Sequence, residues 1–271
     1  MSLKETPRRV VKSVTREPGD RQFASTLERG LRVLQCFSVD SPELGNAEIA
    51  FRTGLPKPTV SRLTHTLVKL GYLERSQSSA EFGLGMGVLC LGYPLLASLQ
   101  LRRLAAGPMK DLADLIDGAV AINVRAHLSV VALENVIARD VLDGKPSVGR
   151  ALPLLSTAAG MGWLIGASAE ERQRAIRELE HADAGCWTRG RQDYEALKKQ
   201  FTQLGYIKRA NTRRMNTSAL AVPLRRRPGS ELMVLSCVLA ASGAQLEALE
   251  TRAGDALLAT AQIISSKLLK A

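Results

Sequence analysis

The stretch NAEIAFRTGLPKPTVSRLTHTLVKLG, residues 46–71, has the pattern of two short amphipathic helices joined by a tight Gly-Leu-Pro turn. In the first helix, Asn46 is placed to cap the free amides, and Glu48 favours the positive helix end. Gly54 then ends this helix. Lys57-Pro58 begins the second helix, because a proline in the first turn gives up an amide that has no partner within the helix. The stretch therefore predicts a helix-turn-helix.

The second predicted helix separates an apolar face from a face without acidic groups. Its apolar residues recur at steps of three and four and predict one buried stripe, made of Val60, Leu63, Leu67 and Leu70. The other face carries hydrogen-bond donors and neutral groups, which suit phosphates and guanine edges in a major groove. An ordinary solvated face of a helical hairpin is the alternative. Off the stripe lie Ser61, Arg62, His65 and Lys69, with Lys57 and Thr59 at the exposed start.

The residues on either side complete a larger pattern. Upstream, residues 25–37 predict a helix with a Ser-x-x-Glu capping box at Ser25 and Glu28. Downstream, residues 72–75 and 82–84 flank a polar turn and predict a two-stranded wing. The order helix, helix, turn, helix and hairpin is that of a winged helix-turn-helix. This context favours DNA binding over a merely solvated face.

Length and charge allow more than this one module. A chain of 271 residues can form two domains with cores of their own. The formal net charge of +11 suggests a polyanionic partner, although the basic excess is spread along the chain and does not locate that partner. Cysteine usage is sparse, and no C-x-x-C pair predicts a zinc site, a redox motif or a secreted disulfide framework. We expect buried structural thiols at Cys36, Cys90, Cys186 and Cys237.

Two segments bear on localisation. Residues 1–23 are polar and basic, which predicts a disordered tail and not a signal peptide. This tail is either a spectator or a nonspecific contact to phosphates. Residues 151–169 form a charge-free run of membrane-spanning length, but Pro153, Ser156 and several glycines favour a buried turn and helix. We therefore expect a cytosolic protein.

The segment 86–106 is apolar nearly all round and is interrupted by Pro94. It predicts a linker helix that packs against another surface, either a second copy in a dimer or its own chain. A dimer would suit a reader of two half-sites. From residue 107 the pattern becomes a mixed α and β domain. It predicts a helix at 108–116, strands at 119–124, 129–136 and 139–141, helices from 157 and at 169–179 and 192–204, strands from 205 and at 220–224 and 232–239, and a final helix at 246–269.

Enzyme motifs are missing from the sequence. The three histidines, His65, His127 and His181, lie in separate regions and form neither a metal pair nor a local dyad. The string GLGMG at 83–87 lacks the third glycine of a dinucleotide loop, and neither a Walker loop nor a nucleophile elbow is present. We therefore expect no enzyme, no metal and no cofactor. The string STAAG at 156–160 instead places backbone amides at a helix start, which suits either a carboxylate or a tight packing turn.

From about Ser25 to its end the chain resembles the IclR family of bacterial transcriptional regulators. The resemblance rests first on STLERGLRVLQCF, EIAFRTGLPKPTVSRLTHTLVKLGYLER and FGLG, and then on GRALPLLSTAAGMGWLIGA, GY at 205–206, and ALAVPL followed by LSCVLAA. It implies an α+β fold of two domains. These are a winged helix-turn-helix at 24–85, a linker helix at 86–106, and a GAF-like effector domain at 107–271 with a mostly antiparallel sheet. It also implies dimers or dimers of dimers that bind a small acidic metabolite.

Position by position, the resemblance also implies contact residues. The DNA-contacting set falls on Lys57, Thr59, Ser61, Arg62 and His65, and Pro58 stands where a serine is common. The effector set falls on Leu155, Thr157, Ala159, Gly160 and Met161 before and in the helix, and on Arg209, Thr217, Ala219, Ser236 and Val238 in the later strands.

Several of these positions depart from the family pattern. Met161 replaces a frequent basic residue, and Arg209 stands where relatives that bind two- or three-carbon acids have an acidic one. Ala219 and Val238 replace a cysteine and a serine of those relatives. The departures imply a pocket that is less polar on one side and more cationic on the other. They favour a larger carboxylate, aromatic or branched.

The combined hypothesis is a ligand-responsive transcription factor. Arg62 and Lys57 would bond guanine edges or phosphates, and the wing around Arg75 would contact the DNA backbone. Two alternatives stay open at this point. One is a constitutive DNA-binding protein without an effector, and the other is an enzyme with an accessory DNA-binding module.

Overall fold

The computed structural model describes residues 21–98, 100–138, 148–210, 217–224, 227, 229–240 and 244–270. The chain divides into two compact units, one up to residue 98 and one from residue 99 onwards. The predicted strand at 139–141 and most of the predicted tail lie outside the described residues.

The first unit is a winged helix-turn-helix. Its described elements are α1 (Ser25–Leu34), β1 (Glu43–Leu44), α2 (Asn46–Thr53), α3 (Lys57–Lys69), β2 (Leu73–Arg75), β3 (Phe82–Leu84) and α4 (Met86–Ser98). The first three helices pack around a core that includes Val33, Ile49 and Val60. The strands form an antiparallel sheet in the order β1-β3-β2, in which β2 and β3 are the predicted wing and β1 is an unpredicted third strand. This part of the predicted fold is confirmed.

The predicted turn between α2 and α3 is also confirmed, but the predicted N-caps of α1 and α2 are not. Gly54 ends α2 in the left-handed conformation with φ 67°, which glycine adopts without strain. However, α1 begins after Ala24, and Ser25 makes no capping hydrogen bond because it already lies within the helix. Gly45 likewise precedes α2, and Asn46 instead accepts a hydrogen bond from the Thr64 hydroxyl at 3.2 Å. A cap needs non-helical backbone, and the pattern places that residue only to within one or two positions.

The predicted apolar stripe of α3 is shorter than expected. Val60 and Leu67 are buried and Leu63 is half-buried, as predicted. Leu70, in contrast, follows the last helical residue and is 62% exposed. The buried Thr64 takes part in the contact instead and joins α3 to α2 through Asn46.

The second unit is an antiparallel sheet between two helical layers. The described elements are α5 (Gln100–Ile116), β4 (Ala119–Ala126), β5 (Ser129–Ile137), β6 (Ala151–Pro153), α6 (Ala158–Gly166), α7 (Ala169–Ala182), α8 (Cys186–Leu204), β7 (Ile207–Ala210), β8 (Thr217–Pro223), β9 (Met233–Ala240) and α9 (Ala244–Lys270). The six described strands have the order β6-β5-β4-β9-β8-β7. Helices α5 and α9 pack against one face of the sheet, and α6, α7 and α8 cover the other. The predicted fold class is confirmed.

Two prolines lie inside helices where the sequence predicted an interruption or a start. Pro94 is within α4, and Pro108 is within α5, which begins eight residues earlier at Gln100. A proline has no amide to donate to the carbonyl four residues before it. The carbonyl of Leu104, which faces that deficit, accepts a hydrogen bond from Lys267 Nζ of α9 at 3.2 Å. A contact from the distant end of the chain therefore supports the continuous helix.

The charge-free run 151–169 forms β6, a turn and α6. The turn and the helix were predicted, whereas the short strand β6 was not. In the part of the chain that the structure describes, no helix is both long and apolar enough to cross a membrane.

Candidate DNA-binding surface and effector site

The exposed face of α3 carries the predicted DNA contacts. Lys57, Ser61, Arg62 and His65 are exposed, and Thr59 is half-buried at the helix start. The sixth predicted contact, Arg75, is exposed on β2 of the wing. Within the described ranges, no acidic side chain forms an ion pair with Lys57, Arg62 or Arg75. These cations are therefore available to phosphates and base edges.

Other basic residues of the same unit have structural partners. Arg52 binds Glu48 at 2.6 Å and donates to the Cys36 carbonyl at 3.1 Å and to Ser41 Oγ at 3.2 Å. Arg32 donates to the Thr53 carbonyl at the end of α2. These contacts fix α1 and α2 behind α3. These structural roles were not predicted, although the i,i+4 spacing of Glu48 and Arg52 indicates an ion pair on one helix face.

The predicted effector residues of the later strands all lie on one face of the large sheet. Ala219 pairs with Val238 across β8 and β9, and Thr217 and Ser236 follow at alternate positions of the same strands. Side chains two residues apart share a face of a strand. This face is the one that α6 covers, since Gly162 of α6 lies against Val234 and Ala221.

These residues also lie at one end of the sheet, the end nearer to the first turn of α6. At this end β8 and β4 begin while β9 ends, as their antiparallel pairing shows. The last residue of α6, Gly166, contacts Pro223 at the opposite end, where β8 finishes. The first turn of α6 is therefore directed towards Ala219 and Ser236. The helix start and the strand positions, which are far apart in sequence, converge on one region.

The start of α6 is closely packed. Thr157 caps the helix, because its hydroxyl accepts from the Gly160 amide at 3.1 Å and donates to the Pro153 carbonyl at 2.9 Å. A Cβ on Gly160 would lie 2.2 Å from the Leu154 carbonyl oxygen, so that only glycine fits. Ala159 and Met161 are buried in the core between α6 and its neighbours. The packing-turn alternative therefore accounts for the glycine at position 160.

Arg209 is ion-paired at the edge of this region. Its guanidinium binds Asp193 of α8 at 2.7 Å and donates to the Leu155 carbonyl at 3.1 Å. Leu155 is half-buried and its side chain packs near Gly190 of α8. The carboxylate of Asp193 offsets the extra positive charge that the sequence departure implied.

A buried amide that was not predicted lies beside these strand positions. Asn123 of β4 is 0% exposed, and its nitrogen donates to Ser236 Oγ at 2.9 Å. The sign in the sequence was a polar residue inside the buried run AVAINV at the start of this strand.

The opposite end of the sheet carries an open groove of about 650 Å³. Arg125 lies there, 5.0 Å from the centre of the Trp163 ring and 2.5 Å from Glu178. Four glutamates line the groove, and none of the predicted effector residues does. The four glutamates outnumber the two arginines of the lining, Arg125 and Arg174, which disfavours a carboxylate. In the described part of the chain, no group of three histidine, cysteine or acidic residues is arranged to hold a metal ion.

An exposed basic recognition helix and a separate helix-covered sheet define a class, the winged-helix DNA-binding regulators with an effector domain. The chain belongs to the IclR family of bacterial transcriptional regulators. Residues 26–77 match the IclR helix-turn-helix domain, and residues 94–266 match the family description "Bacterial transcriptional regulator IclR C-terminal". The resemblance found in the sequence is confirmed, and the chain is a transcriptional regulator and not an enzyme.

Individual relatives support the same assignment. The HTH-type transcriptional regulator TsaQ1/TsaQ2 of Comamonas testosteroni is 35% identical over 201 residues, which cover 73% of this chain and 71% of that protein. The Pca regulon regulatory protein of Pseudomonas putida is 31% identical over 148 residues, 52% of this chain and 48% of that protein.

Solved structures also match along most of the chain. An IclR family transcriptional regulator from Brucella abortus is 36% identical with a TM-score of 0.80, over 93% of this chain and 95% of its own. An IclR homolog from Microbacterium hydrocarbonoxydans, complexed with 4-hydroxybenzoate, has a TM-score of 0.69 at 22% identity, over 91% of this chain and 100% of its own. The second likeness is one of fold.

Proposed function

We propose that this protein controls a catabolic operon by sequence-specific DNA binding that responds to a small organic acid, as either repressor or activator. The exposed face of α3 carries the DNA-binding part of the proposal, because its cations have no acidic partner among the described residues. The effector part is supported by the convergence of the α6 start with small residues such as Ala219 at one end of the sheet.

The DNA-binding part is tested with the intergenic DNA that flanks the protein's own gene. Fluorescence anisotropy should show binding that survives a large excess of unrelated DNA, and footprinting should locate two half-sites. Equal binding to unrelated DNA at physiological salt would contradict sequence-specific recognition.

The effector part is tested with a panel of aromatic and branched carboxylates, beginning with 4-hydroxybenzoate because a protein of the same fold was solved with it. A true effector should raise the melting temperature and change operator affinity, since it binds one arrangement of the protein better than the other. If every acid leaves both quantities unchanged, the protein is the alternative of the sequence analysis, a constitutive DNA-binding protein.

We also propose a homodimer, or a dimer of such dimers, formed through α4. This helix exposes Leu89, Leu91, Tyr93 and Leu95, each 62–65% accessible in the single chain. Apolar side chains grouped in this way mark an interaction surface. We expect a second copy of the chain to cover these residues, because two recognition helices read two half-sites of an operator.

A further inference from the structure

Asn123 lies in the middle of β4 with a hydrogen-bond acceptor that nothing in the described structure satisfies. The residue is 0% exposed, and its nitrogen donates to Ser236 Oγ at 2.9 Å. The same nitrogen lies 3.4 Å from the carbonyl oxygens of Ala121 and Val234. Carbonyl oxygens only accept, so they fix the amide orientation. Asn123 Oδ1 then has no partner among the described residues.

A second acceptor of the same kind lies on the neighbouring strand. Asn135 of β5 pairs with Ala121 of β4, and its Oδ1 is also buried without a partner in the described structure. Ala121 also pairs with Ser236 on the other side, so Asn135, Ala121 and Ser236 share one face of the sheet. Asn123, two residues from Ala121, is on this face too.

The neighbours of the two amides are small. Ala132 lies opposite Asn123 on β5, and the pairing shifts by one residue at this point. Ala121 separates the two amides, and the strand beyond Ser236 carries Ala219 at the same end of the sheet. Small side chains therefore surround both acceptors on this face of the sheet.

Buried amide oxygens in folded proteins are nearly always hydrogen-bonded, because an unmet acceptor destabilises the folded state. An apolar residue in the middle of β4 would avoid this loss. We infer that Asn123 Oδ1, beside Asn135, accepts a hydrogen bond from a hydroxyl group of the effector, so that the protein selects hydroxy acids over the corresponding acids without the hydroxyl. This inference rests on the proposed effector site.

The test uses pairs of carboxylates that differ by one hydroxyl, such as 4-hydroxybenzoate with benzoate and 2-hydroxyisovalerate with isovalerate. Isothermal titration calorimetry on the full-length protein should give about tenfold tighter binding of the hydroxy acid in at least one pair, since a polar site left unpaired rejects the analogue. Asn123→Leu should reduce this ratio to below about threefold. Asn123→Ala repeats the measurement with less risk to folding.

Ser218→Ala is the matched control. Ser218 is also buried, and its hydroxyl also has no partner in the described structure. However, it is adjacent to Ala219 in β8, and adjacent residues of a strand point to opposite faces of the sheet, so Ser218 lies on the other face. This variant should keep the wild-type preference for the hydroxy acid.

Three results would overturn the inference. Equal affinity for both members of every pair in the wild type would assign the Asn123 acceptor to a bound water, and the proposed effector function would stand. An unchanged ratio in folded Asn123→Leu or Asn123→Ala would remove Asn123 as the selecting residue. If no acid binds at all, the proposed effector function fails as well, whereas operator binding measured in parallel is unaffected.

Discussion

At the scale of single residues, the hydrogen-bond and ion-pair partners of an arginine distinguish a structural role from a predicted role in DNA recognition. Arg32 and Arg52 have acceptors inside the first unit, whereas Arg62 extends from α3 without an acidic partner in the described structure. Net charge and composition do not make this distinction. The helical spacing predicted Arg62 as exposed, but the inward contacts of Arg32 and Arg52 depend on the loop between α1 and α2.

We predict that Arg62→Ala lowers operator affinity by about 1–3 kcal/mol and relaxes base preference at one position of each half-site, because a bidentate contact to guanine would be lost. Anisotropy titrations against wild-type and single-base-changed operators measure both effects. Arg177→Ala removes the same charge from an exposed position of α7 and should leave affinity unchanged. Unaltered binding by Arg62→Ala would exclude this residue from the interface.

The cysteines differ in environment more than the sequence predicted. Cys36 and Cys237 are buried as expected, but Cys186 is half-buried and Cys90 is exposed on α4. Burial raises the pKa of the Cys36 thiol to about 11 and that of Cys237 to about 12. The expectation of four buried thiols was therefore wrong for Cys90, because α4 is apolar on all sides and its pattern does not say which side is covered.

We predict that a thiol reagent at pH 8 modifies Cys36 and Cys237 only after unfolding, because both thiols are buried in the folded chain. The raised pKa values also make stability depend on pH. Well below pH 9, both thiols are protonated in the folded and the unfolded chain, so this contribution to stability is then complete. As pH rises from about 9 to 12, the unfolded chain loses these protons first, and the free energy of unfolding decreases. Urea titrations across this range, with Cys237→Ala as comparison, check the sign.

At the scale of elements, α6 packs directly against Leu154 at Gly160 in its first turn. We predict that Gly160→Ala lowers the free energy of unfolding by about 1–3 kcal/mol, because the new methyl group would meet the Leu154 carbonyl oxygen at 2.2 Å. Gly107→Ala is the control within α5, where nothing lies within 4 Å of the added Cβ. It should be neutral or stabilise by up to about 1 kcal/mol. Urea denaturation without ligand distinguishes the two, and equal effects would contradict the packing explanation.

Hydrophobic periodicity predicted most helices and strands, but it did not predict the features that depend on contacts between distant parts of the chain. The α3 start at Lys57, the wing, and helices α7 and α9 all follow from local pattern. The continuity of α5 through Pro108 does not, since it involves Lys267 at the other end of the unit. In the candidate effector site, the family resemblance predicted the strand positions. It did not predict Asn123, because the hydrogen bond from Asn123 to Ser236 depends on the pairing of β4 with β9.

At the scale of the whole molecule, α4 exposes a group of apolar side chains in the single chain. We predict that Leu91→Glu together with Leu95→Glu shifts the protein towards monomers and weakens binding to a two-half-site operator by at least about tenfold, because charged groups would replace exposed apolar ones at the interface. Mass photometry and anisotropy measure the two effects.

Leu115→Glu is the control for this change, since Leu115 is an exposed leucine of α5 in the second unit. It should leave both the oligomeric state and DNA binding unchanged. A double variant of α4 that remains dimeric would place the dimer contact on another surface.

The strand order of the large sheet has a consequence for protein synthesis. β9 is among the last elements of the chain, yet it lies between β4 and β8, and α9 follows it to cover one face. On the ribosome, the sheet remains in two separate halves until β9 emerges, whereas the first unit is complete long before. We therefore expect nascent chains to display a folded DNA-binding unit ahead of the sensing unit. Limited proteolysis of ribosome-bound chains stalled before and after residues 233–240 would show whether protection of the second unit appears only in the longer chains.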